Sequence, residues 1–461
     1  EMCIRDRIKD LYQKFKESSG ISTDSRTMKK DNIFFCLSGD NFDGNDYAED
    51  ALNKGASLCV IDNPEYSKKS EKFLLVEDSL GTLQELAKYH RDKLNIPIVG
   101  ITGSNGKTTT KNLLEVALSV KYNVYATEGN FNNHIGVPLS ILKINNSHEI
   151  GIIEMGASSV GEIADLCQIA KPSCGLITNI SKAHIKGFKS FEGVVRGKSE
   201  LFDYLNKNNG QIIINNYDST LVNFIKRFDN PILIEGDKSN IDVKISESKD
   251  GLKLFEPNIF FMVKNLNSGL YEEKKSKLFG RYNFENILMA ISVAKFFKID
   301  EQESAEKICI WDMPPNNRSQ VIKVAGSNII LDAYNANPQS MKNAIESVQN
   351  FSENEKVFII GDMNELGDIS KHEHSEVGKL TSKLESTECF FVGDKMEDAY
   401  KMNKNSRWFK TYNEMHDSLA KMRFQNVDVL VKGSRSLRLE RIQTTLKKIF
   451  CLLYTSPSPR D

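Results

Sequence analysis

Long apolar runs are missing from this 461-residue chain. No stretch approaches the roughly 20 residues needed to span a bilayer, and no signal-peptide pattern is read at its start. Net charge is nearly missing as well, at −1 with His neutral, which gives no reason to expect nucleic acid or an anionic membrane as partner. The eight cysteines include no Cys-x-x-Cys pair, which fits free or buried thiols in a reducing compartment. Low-complexity tracts and solenoid repeats are lacking too. What remains is 40% hydrophobic and 27% charged: a globular protein with ample core, expected in the cytoplasm, with a length that suggests about three domains. Residues 1–7 (EMCIRDR) and 451–461 (CLLYTSPSPRD) read as extraneous to the fold.

The most informative segment is Ile96–Lys111, IPIVGITGSNGKTTTK. An apolar strand delivers the chain to a glycine-rich turn with little side-chain bulk, where backbone N–H groups can converge on an anion. A helix then begins with its positive end facing the same spot. Gly103, Ser104, Asn105 and Gly106 would form the cradle and Thr109 would continue it. Lys107 would reach the outer phosphates, and the Thr108 hydroxyl would ligate Mg²⁺. Leu113, Leu114, Ala117 and Leu118 recur at helical spacing, as the motif requires. The loop is shorter than the usual Gly-x-x-x-x-Gly-Lys-Ser/Thr, because Ile101 stands where the first glycine would be.

Strand-like runs alternate with helical patterns almost throughout, so the expected class is α/β with mainly parallel sheets. Three domains are expected: a smaller N-terminal α/β unit over 1–95, a central P-loop-type unit over 96–313 with helices on both faces of its sheet, and a Rossmann-like unit over 314–461. Residues 240–280 read as an antiparallel excursion. Pro314-Pro315-Asn316-Asn317 reads as a linker. Beyond it, apolar runs at 328–332, 356–361, 389–394 and 428–433 each end in polar or glycine clusters. In open parallel sheets, ligands bind beyond such strand ends.

Taken alone, several polar residues have two readings. Glu154, closing the run Ile150–Glu154, could hold Mg²⁺ or be a solvated strand-end acid. His184 could be a ligand or a structural histidine, and Lys198 reads as a solvated helix lysine. Asn130, Asn132, Asn133 and His134 could face phosphates or simply make a turn.

The ordered set TGSNGKTT, EGNFNNHIGVPLSIL, EMGA, TNISKAH, GVVRGKSELF, GRYNFENILMAISVA, NNRSQV, LDAYNANPQSM, IGDMNELG and VKGSRS resembles the Mur ligase superfamily, from about Ile21 to Leu446. DAYNANPQSM and GDMNELGD resemble the branch that joins D-alanyl-D-alanine to UDP-N-acetylmuramoyl-tripeptide, whose third peptide residue is diaminopimelate or lysine. The resemblance implies ATP-dependent amide formation by a monomer. It implies Mg²⁺ held by Thr108, Glu154, His184 and a carbamylated Lys198. Carbamylation needs a neutral amine, which an ordinary lysine at pH 7 offers about once in a few thousand molecules. A desolvated site near cations would favour it.

The resemblance further places Asn283 and Asn286 beside the adenosine, and brings Arg318 to the nucleotide on closure. Asp332, Tyr334 and Asn337 would face ATP. Asn133, Asn335, Lys432 and Ser434 would face substrate. Ser25, Arg26 and Asp43 would flank the UDP moiety. Two positions depart from the family pattern: Asn317 replaces the usual glycine before the arginine, and Asn45 replaces the histidine after Asp-Gly. Rival readings are a ligase adding the third peptide residue, a folylpolyglutamate synthetase, a P-loop kinase and a non-catalytic nucleotide-binding scaffold. The UDP-type first segment and Asn-Ala-Asn-Pro argue against the first two.

Overall fold

The computed structural model describes all residues except 1–3, 40–41, 69, 236–240, 246–257, 267, 315–316, 385–386 and 453–461. Parts of the expected extraneous ends, of the linker and of the 240–280 excursion therefore lie outside the described residues. Ile4–Arg7 begin the first helix, Ile4–Glu17, and Cys451 falls in the last, Ile442–Leu452.

Four parallel strands open the chain, Ile21–Ser22, Ile33–Phe35, Leu58–Ile61 and Phe73–Leu75, paired in sequence order. The helix Ser79–Arg91 follows, capped by the Asp78 carboxylate accepting from Leu80 N. It binds the first segment to the next. Buried Arg91 donates through Nε to Ala170 O at 2.8 Å and through Nη2 to Lys171 O at 3.1 Å. One apolar core runs from Leu11, Phe35 and Leu86 to Ile153 and Leu201 without a break.

The second sheet is parallel, with Ile98–Thr102 between Cys174–Ile177 and Ile150–Glu154. Its strands are buried on both faces, which is why they read as continuous apolar runs rather than alternations. The antiparallel excursion is present as three strands, Val243–Ile245, Asn258–Lys264 and Tyr271–Phe279. It leads into the buried helix Asn283–Phe296, which packs on the P-loop helix Lys107–Leu118.

The third sheet has five parallel strands, among them Ser327–Asp332, Val427–Lys432 and Glu355–Gly361 side by side. The mainly parallel expectation holds, with a sixth strand antiparallel at one edge. Gln320–Val324 runs antiparallel to Ser327–Asp332 through the turn Ala325-Gly326, with φ of 47° and 76°. Positive φ at both central residues matches the twist of a two-residue hairpin.

Candidate active site

The strand Ile98–Thr102 ends at Gly103, and the helix begins at Lys107. The bend between them has no room for a side chain at either of its glycines. A Cβ at Gly103 (φ 143°) would lie 2.0 Å from Thr178 Oγ1, and one at Gly106 (φ 79°) 2.8 Å from Asn286 Oδ1. The neighbouring strand end holds the bend in place. Asn105 N donates to Asn179 Oδ1 at 3.1 Å, Asn105 Nδ2 to Ser181 Oγ at 3.0 Å, and Thr178 Oγ1 to Asn105 O at 2.5 Å. Lys107 Nζ lies across the loop and donates to Gly103 O at 2.8 Å. Burial, opposed by the charge of Glu154, lowers its pKa.

This bend floors a cavity of about 380 Å³ whose lining includes Ser104–Thr109, Asn133, Glu154, His184, Asn283, Asn286, Arg318, Asp332, Tyr334, Asn335, Asn337 and Lys432. Most residues singled out in the sequence are thus brought to one place, although up to 232 positions separate those in contact: Asn337 Nδ2 donates to Asn105 Oδ1 at 2.6 Å. Asn337 also caps the helix Pro338–Gln349, accepting from Ser340 N. The contact therefore ties a helix start of the third sheet to the glycine bend of the second.

Glu154 is buried. Its Oε1 accepts from Asn132 Nδ2 at 2.8 Å, while Oε2 has no protein partner. A buried carboxylate oxygen left over in a cavity that Thr108 also lines suits Mg²⁺, which takes one or two carboxylates and fills its shell with phosphate and water. Among the described residues no group of three His, Cys, Asp or Glu is placed to hold a metal. His184 Nδ1 lies 2.5 Å from Glu365 Oε2, and that partnership holds Glu365 below the ordinary carboxylate range.

Lys198 sits behind the cavity wall rather than in the lining. It is 1% exposed, donates to Ala157 O at 3.1 Å and stands 5.2 Å over the Phe188 ring. Burial, reinforced by the charge of Lys107, pushes its pKa well down, against the pull of Glu162 and Glu200. The solvated-helix reading fails here, and the environment favours the neutral amine.

Other expected site residues have local work in this structure. Asn133 Oδ1 accepts from Gly136 N, and its neighbour Asn132 makes the contact with Glu154. Asn286 accepts from Thr110 Oγ1 and donates to Asn283 Oδ1, so both amides are fixed before meeting any ligand. Ser25, Arg26, Asp43, Gly103 and Ser434 do not line the cavity. Arg26 forks onto Asp24 at 2.7 Å, Asp43 caps the turn at Asn45, and Ser434 Oγ accepts from Asn364 N. Asn132, read as facing phosphates or making a turn, instead holds Glu154; residues the sequence reading gave no role include Asn179, Ser181 and Glu365. All three lie inside quoted motifs, TNISKAH and IGDMNELG; Asn179 and Ser181 also follow a strand end, which was the available signal.

A P-loop opposed by the strand ends of a second α/β sheet, with an N-terminal sheet packed alongside, defines a three-part nucleotide-dependent ligase architecture, and the chain belongs to the Mur ligase family. Residues 17–91 match the Mur ligase family catalytic domain, 101–294 the Mur ligase middle domain, and 317–435 the Mur ligase glutamate ligase domain. Among relatives, the UDP-N-acetylmuramoyl-tripeptide–D-alanyl-D-alanine ligase of Bacillus subtilis (strain 168) is 32% identical over 92% of each chain. The ligase of that name from Rickettsia prowazekii (strain Madrid E) is 30% identical over 92% of this chain and 94% of its own. The MurF ligase of Thermotoga maritima, solved in complex with ADP, has a TM-score of 0.79 at 26% identity, covering 94% of this chain and 98% of that one. MurF of Acinetobacter baumannii shares the fold, with a TM-score of 0.83 at 24% identity over 96% and 98%.

Proposed function

We propose that this protein joins D-alanyl-D-alanine to UDP-N-acetylmuramoyl-tripeptide at the expense of ATP, a step of peptidoglycan precursor synthesis. The observation that carries this reading is the end-to-end likeness to ligases of that specificity, in a chain whose cavity joins a phosphate cradle to a second set of strand ends. The tripeptide carboxylate attacks the γ-phosphorus, the bond to the β-phosphate oxygen breaks, and ADP leaves an acyl phosphate. The dipeptide amine then attacks the acyl carbon, losing a proton as phosphate departs.

Both steps crowd anions together. Lys107 and the backbone N–H groups of the bend are placed to offset that charge. Arg318, 3.7 Å over the Tyr334 ring at the opposite wall, would arrive with the third unit. Enclosure between the units would keep water from the acyl phosphate. Mg²⁺, held by Thr108 and Glu154 with His184 and a carbamylated Lys198 as further ligands, would neutralise the triphosphate. The working units are 1–95 for the UDP end, with Ser25, Arg26 and Asp43, then 96–313 for ATP and 314–461 for the acceptor. A cytoplasmic monomer fits this reading; among the described residues no helix is long and apolar enough to cross a membrane.

The test is to incubate the protein with ATP, Mg²⁺, UDP-N-acetylmuramoyl-tripeptide and D-alanyl-D-alanine, then weigh the product. A mass increase of one dipeptide minus water, with matching ADP, is expected. ADP release without the dipeptide adduct would overturn the assignment.

A further inference from the structure

The strand Val427–Lys432 ends at the cavity, and two residues later the chain turns into the short 3₁₀ helix Arg435–Leu437. This turn is fastened by the loop after Gly361. Ser434 N donates to Asp362 O at 2.9 Å, Asn364 N to Ser434 Oγ at 2.8 Å, and Asn364 Nδ2 to Ser436 Oγ at 2.9 Å. The Arg435 side chain, on this fixed backbone, is exposed. Among the described residues it meets no carboxylate; its guanidinium rests 5.0 Å from the Tyr334 ring. Arg318 lies 3.7 Å from the same ring, so two guanidiniums concentrate positive charge around one cavity-lining tyrosine. Lys432, the other cation at this strand end, is committed to Asp332 Oδ2 at 2.5 Å and to Asn335 O.

We infer that Arg435 receives the free carboxylate of the dipeptide acceptor, an inference that rests on the ligase reading. The acceptor's amine must point at the carbonyl activated over the glycine bend, so its other end points toward the third sheet. That carboxylate is unchanged by the reaction, yet it enters a cavity that also takes a triphosphate. A cation away from the P-loop, carried on a fastened turn, removes this conflict. A guanidinium offers two parallel N–H groups matched to the two oxygens, which an ammonium does not. The Tyr334 face orients the fork without neutralising it.

The experiment compares D-alanyl-D-alanine with its C-terminal amide as acceptor, for the wild type, Arg435→Lys and Arg435→Ala. The wild type should prefer the acid by about 10- to 100-fold in kcat/KM, the range of a hydrogen-bonded charge pair. In Arg435→Ala that preference should collapse toward unity through a raised dipeptide KM, with the KM for ATP unmoved. Arg435→Lys should fall between the two. An equal loss on acid and amide, or an acid preference that survives in Arg435→Ala, would refute the assignment of Arg435 while the ligase reading stands. Absence of product from the wild type with either acceptor would sink both.

Discussion

Asp362 closes the strand Glu355–Gly361 and is 9% exposed. Its Oδ1 accepts from Lys395 N at 3.1 Å and Met396 N at 3.0 Å. Burial outweighs these bonds and the Lys395 charge, raising its pKa from 3.8 to about 6. For an acid, a raised folded pKa means that the native state keeps a proton the unfolded chain has released. Stability therefore falls as pH climbs from about 4 to 6, and the deficit is complete at neutral pH. The shift of roughly 2 units corresponds to about 3 kcal/mol.

Asp362→Asn removes the titration while Oδ1 can still accept both backbone bonds. The stability difference, variant minus wild type, should therefore rise by about 2.5 kcal/mol between pH 4 and pH 7.5. Packing changes are common to both pH values and cancel. Urea unfolding would be followed by Trp408, whose indole donates to Gly393 O at 2.8 Å in the loop that encloses Asp362. Trp311, the other of two tryptophans, would be replaced by Phe in both proteins. A difference that stays flat across this range would refute the argument that a buried charge is tolerated here.

Three further outcomes test the cavity. Gly103→Ala should weaken binding of a nonhydrolysable ATP analogue at least about tenfold by calorimetry, because the new Cβ would meet Thr178 Oγ1 at 2.0 Å; unchanged affinity would show that the bend is not the cradle. Asn337→Ala should cost about 1 kcal/mol as a lost helix cap, and a double-mutant cycle with Asn105→Ala should return a coupling of about 0.5–1.5 kcal/mol; strict additivity would mean the 2.6 Å contact carries no energy. Lys198→Ala should lose ligation and regain part of it with millimolar acetate or another short carboxylic acid if a carbamate is the working group, whereas full activity without rescue would remove Lys198 from the site.

The features legible in the sequence were those whose physics is local. An apolar run, a tight bend that needs its two glycines and a helix with its apolar face in register lie within Ile98–Leu118, and each has its own composition signal. The edge strand Gln320–Val324 had none, because its hairpin turns on Ala325-Gly326 where Asn-Gly or Asp-Gly would have announced it. Burial of Lys198 was the larger omission. Its linear neighbours Arg196, Ser199 and Glu200 are polar, but on the helix it shares a face with Val194, Leu201 and Phe202, and Gly193 and Gly197 let that helix close on Phe188: a Cβ at these positions would lie 2.0 Å from Phe188 O and 2.5 Å from its ring. The apolar period on that face was one available signal, and the four-residue spacing of two glycines was another, since it strips the helix of bulk beside the lysine. Nothing comparable marks the pairing of Asn105 with Asn337 or of His184 with Glu365. Those contacts exist only once the strand ends of two sheets face each other, so their residues had to be reached through family resemblance or through the fold itself. The division follows the range of the forces: turn geometry and apolar period act over a few residues and leave a local trace, whereas an amide or a carboxylate is given its partner by topology.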